Sequence, residues 1–214
     1  MSEIIREICY WLKKPRSGWV IRGISEQIAE TVFEHTKKVF RSTRLYSLFH
    51  PLLDANKMGK MSLYHDIAEY REKDYTPDEI SKQEKFEREK NVIEDLVRRF
   101  PGKFDEVYVL WLEFEEGKTS EAVAVRQLDI MDAWVQALSY SEQGISEDVS
   151  DFFPWIDKKL TDPFLRSIWD ILLYGEFSGN INYQYMVLLE VWWNRQLFRE
   201  RMIEEWLGNA LDYI

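Results

Sequence analysis

The sequence places a histidine beside an aspartate at His65 and Asp66, in the stretch LYHDIAEY, and a glutamate, Glu69, four residues after the histidine. The chain contains only three histidines. Neutral imidazole nitrogen and carboxylate oxygen are standard ligands of Zn²⁺, Mn²⁺, Fe²⁺ and Co²⁺. The pair therefore indicates a metal site, although such dipeptides are common by chance and a buried histidine is more often a hydrogen-bonded core residue.

Two further residues of the same types, His35 and Asp129, lie in stretches whose apolar spacing predicts buried helix. An unpaired ionisable group in such a place costs several kcal/mol. Convergence of two imidazoles and two carboxylates on one divalent ion would offset that cost. On a helix, His65 and Asp66 would point about 100° apart and straddle the ion, and His35 and Asp129 would arrive from other helices.

The elements that must position these residues are all predicted to be helical, because apolar residues recur at helical spacing and no alternating run indicates a sheet. Helices are expected at 2–13, 25–40, 61–72, 81–100, 103–116 and 119–141. Residues 15–24 and 51–59, which contain Pro and Gly, are expected to be irregular. A polar stretch from 142 to 150 predicts a boundary between a domain at 1–145 and a helical C-terminal extension at 146–214 that packs on it.

Composition and charge exclude several classes of protein. The 214 residues are 45% hydrophobic and 31% charged, as in a soluble globular protein. A net charge of -10 argues against a nucleic-acid-coating protein, which needs a basic face. We expect no membrane segment, because no apolar run approaches about 18 residues. The N-terminal stretch lacks the order of a secretory signal, and Cys9 is the only cysteine, so a cytoplasmic location is expected.

Five segments carry a resemblance to a known family. They are PRSGW at 15–19, ETVFEHT at 30–36, YHDIAE at 64–69, KDYTP at 73–77 and EAVAVRQLDIMDAWVQALSY at 121–140. In this order and spacing, over about residues 10–142, the chain resembles the HD-domain metal-dependent phosphohydrolase superfamily, and more narrowly its bacterial 5'-deoxynucleotidase branch. The resemblance implies an all-α HD-domain helical bundle.

The resemblance also implies a set of site residues. The metal ligands would be His35, His65, Asp66 and Asp129, holding one divalent ion per chain, whether Mn, Co, Zn, Fe, Ni or Mg. Glu69 and Asp74 would be catalytic, and Arg16 and Trp19 would contact substrate. Lys73 departs from the family pattern and is expected to add a phosphate contact of its own. The family has glycine where this chain has Lys73, and lysine resists backbone angles that glycine allows, so the loop before Asp74 need not follow the family's path.

Each of these roles has a structural alternative. Arg16 could cap a helix, and Trp19 could be an ordinary core residue. Glu69 could be a surface partner of Lys73 at helical spacing. Lys73 could be a solvated loop lysine rather than a phosphate contact.

The resemblance implies a metal-dependent phosphohydrolase acting on nucleotides. The expected reaction is that of a 5'-nucleotidase, which releases phosphate from (deoxy)nucleoside monophosphates by attack of a water bound to the metal. The alternatives are a (deoxy)nucleoside triphosphate hydrolase and a catalytically silent nucleotide-binding module. A diiron oxygenase would need more histidines than the remaining His50.

A homodimer is the partner suggested by the related nucleotidases. The aromatic and basic stretch WWNRQLFRER, at 192–201, could serve a dimer interface, a core stripe or a nucleic-acid surface. A core stripe is favoured in so acidic a chain, and no nucleic acid is expected as a partner.

Overall fold

The computed structural model describes residues 3–145, 154 and 158–174, and the regular structure of these residues is helical. The helices are α1 (Glu3–Trp11), α2 (Ser17–Ile21), α3 (Val32–Phe49), α4 (Ala55–Tyr64), α5 (Lys82–Arg99), α6 (Asp105–Glu116), α7 (Ser120–Glu142) and α8 (Pro163–Tyr174), and a short 3-10 helix, Ile67–Tyr70, follows α4. An isolated antiparallel bridge joins Pro15 to Thr31. The all-α prediction is confirmed.

The main core lies where α3, α4, α6 and α7 pack against one another. Fully buried apolar side chains from four of the helices fill it, among them Val39, Met61, Trp111 and Leu128. Burial of such side chains is the main favourable contribution to folding, at about 25 cal/mol per Å² of apolar surface. This packing fixes the relative positions of α3, α4 and α7, which carry or directly precede the candidate metal ligands.

The N-terminus of α3 is set by a capping box. The Thr31 side chain accepts a hydrogen bond from the Glu34 amide, and the Glu34 carboxylate accepts one from the Thr31 amide at 2.9 Å. This reciprocal pair satisfies two amides that the first turn of a helix leaves free. The predicted helix at 25–40 is therefore wrong at both ends, since residues 25–30 form turns and α3 continues to Phe49.

The helix predicted through 61–72 is also wrong. Asp54 caps the start of α4 through the amides of Asn56 and Lys57, so the helix begins earlier, and it ends at Tyr64. Gly59, expected in an irregular region, lies inside this helix, where an added Cβ would meet the Phe40 ring at 3.3 Å. The metal-ligand candidates after Tyr64 consequently lie in the turn that leaves α4.

The other predicted elements agree more closely with the structure. Helices α5, α6 and α7 begin and end within two residues of the predicted limits. Their start and stop signals act as expected, with Ser81 and Thr119 as N-caps and Gly117 in the left-handed conformation after α6. The region predicted as loop, 15–24, contains the short helix α2.

Helix α8 packs on α7, where the rings of Trp134 and Trp169 lie 4.3 Å apart. The Gln127 amide of α7 accepts a hydrogen bond from the Thr161 amide at 2.6 Å and donates one to the Lys159 carbonyl at 3.0 Å. The boundary at 145/146 stays a prediction, and the stretch at 192–201 lies outside the described residues. Within the described ranges, no helix is long and apolar enough to cross a membrane.

Candidate metal centre

Three elements bring four predicted ligands together. His35 projects from α3, His65 and Asp66 lie in the turn after α4, and Asp129 projects from α7. The Nε2 atom of His35 lies 3.3 Å from Nε2 of His65, 3.0 Å from Oδ1 of Asp129 and 3.7 Å from Oδ2 of Asp66. The same Asp66 oxygen lies 3.2 Å from Nε2 of His65.

Hydrogen bonds on the far side of each ring fix the two imidazoles. His65 Nδ1 lies 2.8 Å from the Ser62 carbonyl, and His35 Nδ1 lies 2.8 Å from Oδ2 of Asp132. A carbonyl can only accept a hydrogen bond, so His65 carries a proton on Nδ1. Both Nε2 atoms therefore face the centre, which is the usual arrangement for histidines that bind a metal.

The electrostatics of the cluster are strongly perturbed. Burial and Arg16 lower the pKa of His35, but hydrogen bonds to Asp129 and Asp132 outweigh them and raise it to about 10. Burial acts to raise the pKa of Asp66, and the charges of His65, His35 and Arg16 hold it well below its usual range. The imidazoles thus retain protons that a divalent cation would displace, so metal binding should release protons.

The ligand atoms of His35, His65 and Asp66 fit a single ion, and Oδ1 of Asp129 lies 3.0 Å from one of them, Nε2 of His35. Neighbouring ligands of an ion with bonds of about 2.1 Å lie roughly 3.0–3.5 Å apart, close to the separations seen here. His35, His65 and Asp66 each offer one ligand atom, and these atoms lie within 4.8 Å of one another. Two nitrogens and carboxylate oxygens suit Mn, Fe, Co, Ni or Zn, and Mg when oxygen ligands dominate.

A second acidic group, Glu30, His35 and Asp132, has equally close ligand atoms. The Lys38 ammonium lies 2.5 Å from Oε1 of Glu30, and Asp132 already bonds His35. The charge of Lys38 occupies the position that a cation would take. We therefore assign no metal to this group.

Glu69 lies beside the cluster and is 2% exposed. One carboxylate oxygen, Oε1, is 3.4 Å from the Lys85 ammonium, and Oε2 is buried with no hydrogen-bond partner in the described residues. Burial, with the charges of Asp74 and Asp66, raises its pKa well above the usual range. The surface pairing with Lys73 is excluded, and Glu69 lies in the 3-10 helix after the turn that contains His65, rather than on one continuous helix with it.

Asp74 and Arg16 form a neighbouring pair. Asp74 is buried, and its Oδ2 accepts a hydrogen bond from the Ser17 amide at 2.8 Å and lies 4.0 Å from Nε of Arg16. Arg16 precedes α2 but makes no side-chain cap there. Its Nη1 atom is buried without a hydrogen-bond partner in the part of the chain that the structure describes, and lies 3.8 Å from Oε2 of Glu30. Burial opposes its charge, but Asp74 and Glu30 outweigh this effect and raise the pKa of Arg16.

Trp19 and Lys73 are placed differently from the other predicted site residues. Trp19 is 2% exposed, donates from Nε1 to Glu30 at 3.2 Å and meets the Tyr140 ring edge-on at 5.3 Å. The Lys73 side chain is 48% exposed and pairs with Glu79. The structure does not bring Lys73 into the cluster, and the substrate contacts predicted for these two residues stay predictions.

Sequence reasoning did not single out Glu30, Asp132, Lys85 or Lys14. Asp132 follows Asp129 by one helical turn, a spacing that could have identified it. Lys14 donates a hydrogen bond to the Glu72 carbonyl. Burial lowers its pKa, while the carboxylates of Glu69, Asp74 and Asp66 act in the opposite direction. Lys14 therefore interacts electrostatically with the carboxylates of the site. The sequence alone does not distinguish it from its neighbour Lys13.

Comparisons with known proteins identify the family of this chain. The sequence pattern of the family described as HD domain matches residues 12–169. The 5'-deoxynucleotidase HDDC2 of Dictyostelium discoideum is 34% identical over 175 residues, which is 76% of this chain and 91% of that protein. The 5'-deoxynucleotidase HDDC2 of Homo sapiens is 30% identical over 144 residues, or 66% of this chain and 69% of that protein.

Solved structures show the same fold. A protein from Pyrococcus horikoshii OT3 superposes with a TM-score of 0.65 and 27% identity, over 80% of this chain and 96% of that one. The family pattern spans every residue of the cluster described above. The chain belongs to the HD-domain family.

Proposed function

We propose that the protein is a metal-dependent phosphohydrolase that releases phosphate from 5'-(deoxy)nucleoside monophosphates. The observation that carries this proposal is the convergence of two histidines and two aspartates near Arg16, whose Nη1 atom is buried with no hydrogen-bond partner among the described residues. The similarity to proteins named 5'-deoxynucleotidase supports the choice of substrate.

His35, His65, Asp66 and Asp129 would hold one divalent ion, of the Mn, Co, Zn, Fe, Ni or Mg type. Such an ion, when bound, lowers the pKa of water and neutralises charge on phosphoryl oxygens. Asp132 and the Ser62 carbonyl orient the two imidazoles for this task. Their hydrogen bonds keep both Nε2 atoms directed at the centre.

Arg16 binds the phosphate. A guanidinium offers a planar set of donors that matches phosphate oxygens. Nη1 of Arg16 is buried and has no hydrogen-bond partner within residues 3–145, 154 and 158–174. A buried donor without a partner costs about 1–3 kcal/mol. A phosphate oxygen would satisfy it.

Glu69 donates a proton to the leaving 5' oxygen. Burial and the charges of Asp74 and Asp66 favour the protonated carboxyl and raise the pKa of Glu69 well above its usual range, as a general acid requires. Lys85 holds Oε1, which leaves Oε2 to face the substrate. Asp74, fixed by the Ser17 amide, orients the sugar or the attacking water beside Arg16.

The test is a phosphate-release assay on mono-, di- and triphosphates of ribo- and deoxynucleosides, with Mn²⁺, Co²⁺, Zn²⁺ or Mg²⁺ added. We expect release from deoxynucleoside monophosphates, its loss with EDTA, and a fall of about 10³-fold or more in Asp66→Ala. Asp78→Ala, an exposed loop residue, is the matched control. Equal rates in the wild type and Asp66→Ala would refute the proposal.

Two other outcomes would identify the alternatives. Release of inorganic triphosphate from a triphosphate substrate would identify a triphosphate hydrolase. Retention of nucleotide without turnover would identify a silent binding module. The homodimer, the cytoplasmic location and the boundary at 145/146 are also proposals, and light scattering on the purified chain tests the first.

A further inference from the structure

Glu30 is a buried carboxylate that no step of the proposed reaction uses. It lies just before α3, and its side chain is 2% exposed. Two donors bind its two oxygens: Lys38 Nζ lies 2.5 Å from Oε1, and Trp19 Nε1 lies 3.2 Å from Oε2. Lys38 in turn donates to the side-chain oxygen of Gln136 on α7. The carboxylate is therefore held from both sides.

The backbone around Glu30 is fixed as well. Its amide donates to the Tyr140 hydroxyl at 2.7 Å, and its carbonyl accepts from the Arg16 amide at 2.9 Å. Gln136 and Tyr140 lie one helical turn apart on α7, the helix that also carries Asp129. The position of Arg16 is thus tied, through Glu30, to the helix that supplies a metal ligand.

The distance between Glu30 and Arg16 is suited to orienting the guanidinium and is too long for a hydrogen-bonded ion pair. Oε2 of Glu30 lies 3.8 Å from Nη1 of Arg16, too far for a hydrogen bond, while Asp74 flanks the guanidinium at 4.0 Å on the side of Nε. Both carboxylates attract the guanidinium, and neither accepts a hydrogen bond from Nη1, which stays available to a ligand. A flexible arginine side chain loses considerable rotamer freedom when it binds a ligand, and these flanking charges restrict it beforehand.

We propose that Glu30 is the positioning residue of Arg16 and that Trp19 and Lys38 fix the Glu30 carboxylate for this purpose. Trp19 then acts through its indole N–H instead of offering a face to the base. The proposal rests on the proposed function, in which Arg16 binds the substrate phosphate.

The test is a double-mutant cycle of Glu30→Gln and Arg16→Met, measured with a deoxynucleoside monophosphate and saturating Mn²⁺. Loss of a charged partner in a buried site predicts a fall in kcat/KM of about 10- to 100-fold for Glu30→Gln, mostly through KM. In the Arg16→Met background the same change should alter kcat/KM less than about twofold. Trp19→Phe, which keeps the ring and removes the N–H, should give a smaller rise in KM that also disappears in that background.

The exposed residues Glu26 and Trp11 provide matched controls. Glu26→Gln and Trp11→Phe should leave KM unchanged. If Glu30→Gln lowers kcat/KM by the same factor in the wild-type and the Arg16→Met backgrounds, its effect does not act through Arg16 and the positioning role is wrong. If Glu30→Gln does not fold, the cycle with Trp19→Phe decides in the same way.

Failure of the proposed function gives a different result. In that case the wild type releases no phosphate from any nucleotide. The kinetic assay is then replaced by the shift in Tm that inorganic phosphate causes when Mn²⁺ is present. A smaller shift in Glu30→Gln than in the wild type, absent from the Arg16→Met background, supports the positioning role. Equal shifts in the wild type and Glu30→Gln overturn it.

Discussion

His35 and Asp132 share a buried hydrogen bond of 2.8 Å between Nδ1 and Oδ2, on the side of the imidazole that faces away from the other ligands. Asp132 lies one helical turn after Asp129, whose Oδ1 is 3.0 Å from the opposite ring nitrogen. Helix α7 therefore supplies both a candidate metal ligand and the carboxylate that orients another ligand. This relationship connects the packing of α3 on α7 directly to the chemistry of the site.

Asp132→Asn should weaken metal binding without removing a ligand. A neutral amide orients the imidazole less firmly and makes it less basic, and loss of such a partner typically costs about 10- to 100-fold in metal affinity. Calorimetric titration with Mn²⁺ measures the dissociation constant, and Asp105→Asn, an exposed residue of α6, is the control. An affinity within twofold of the wild type would show that Asp132 does not support His35.

Glu69→Gln should remove the proposed proton donor and leave the metal centre in place. We expect kcat to fall by about 10²- to 10⁴-fold, the usual contribution of general acid catalysis. The Mn²⁺ dissociation constant should change less than threefold, to order of magnitude, because the ligand set is intact. Steady-state kinetics and the same titration check both statements, and an unchanged kcat would exclude Glu69 as the acid.

Lys14 and Lys73 form a natural pair for comparison. Lys14 is partly buried near Glu69, Asp74 and Asp66, whereas Lys73 is exposed and paired with Glu79. We expect Lys14→Met to raise KM for a monophosphate by about tenfold, because the change removes a cation that interacts with the carboxylates of the site and can attract a phosphate. Lys73→Met should change it less than about twofold. The opposite ranking in steady-state assays would favour the substrate contact that the sequence predicted for Lys73.

Glu89 makes folding stability depend on pH. Burial raises its pKa from 4.5 to about 7, and the nearby Lys85 acts in the opposite direction. The folded state binds this proton more tightly than the unfolded state does. Protonation of Glu89 therefore contributes fully to the free energy of unfolding below about pH 4.5, and this contribution is lost as pH rises through about 7. Glu89→Gln carries no titrating group at this position. Its free energy of unfolding relative to the wild type should rise by about 2 kcal/mol between pH 5 and pH 8.

Urea unfolding in EDTA at the two pH values measures this difference. Glu87→Gln, an exposed residue two positions earlier on α5, should show no such change. If the difference in free energy of unfolding between Glu89→Gln and the wild type is the same at pH 5 and pH 8, the pKa of Glu89 in the folded protein is close to its ordinary value.

Local signals in the sequence predicted the later helices well. Ser81, Gly117 and Thr119 act through hydrogen bonds or backbone angles within a few residues of themselves, so their effect is visible without tertiary structure. The start of α3 was misplaced because Ser25 and Thr31 are both suitable caps, and only Thr31 completes the reciprocal pair with Glu34. Glu34 follows Thr31 by three residues, whereas Ile28 follows Ser25, so this local signal was present in the sequence and the prediction overlooked it.

The turn at His65 and Asp66 is a second place where the sequence did not predict the end of a helix correctly. Apolar spacing continues past Tyr64, so periodicity alone predicts an unbroken helix, yet the side chain of His65 bonds the Ser62 carbonyl and α4 ends. The types of the ligand residues were nevertheless sufficient to suggest a metal site. Lys14, Lys85 and Glu30 could not be identified in this way, because their roles depend on contacts between distant segments.

Anomalous diffraction from a crystal soaked with Mn²⁺ shows directly whether one ion binds between the two histidines and the two aspartates. We expect a manganese peak at about 2.0–2.3 Å from Nε2 of His35, Nε2 of His65, a carboxylate oxygen of Asp66 and one of Asp129. A peak elsewhere, with these four side chains making no bond to manganese, would contradict it.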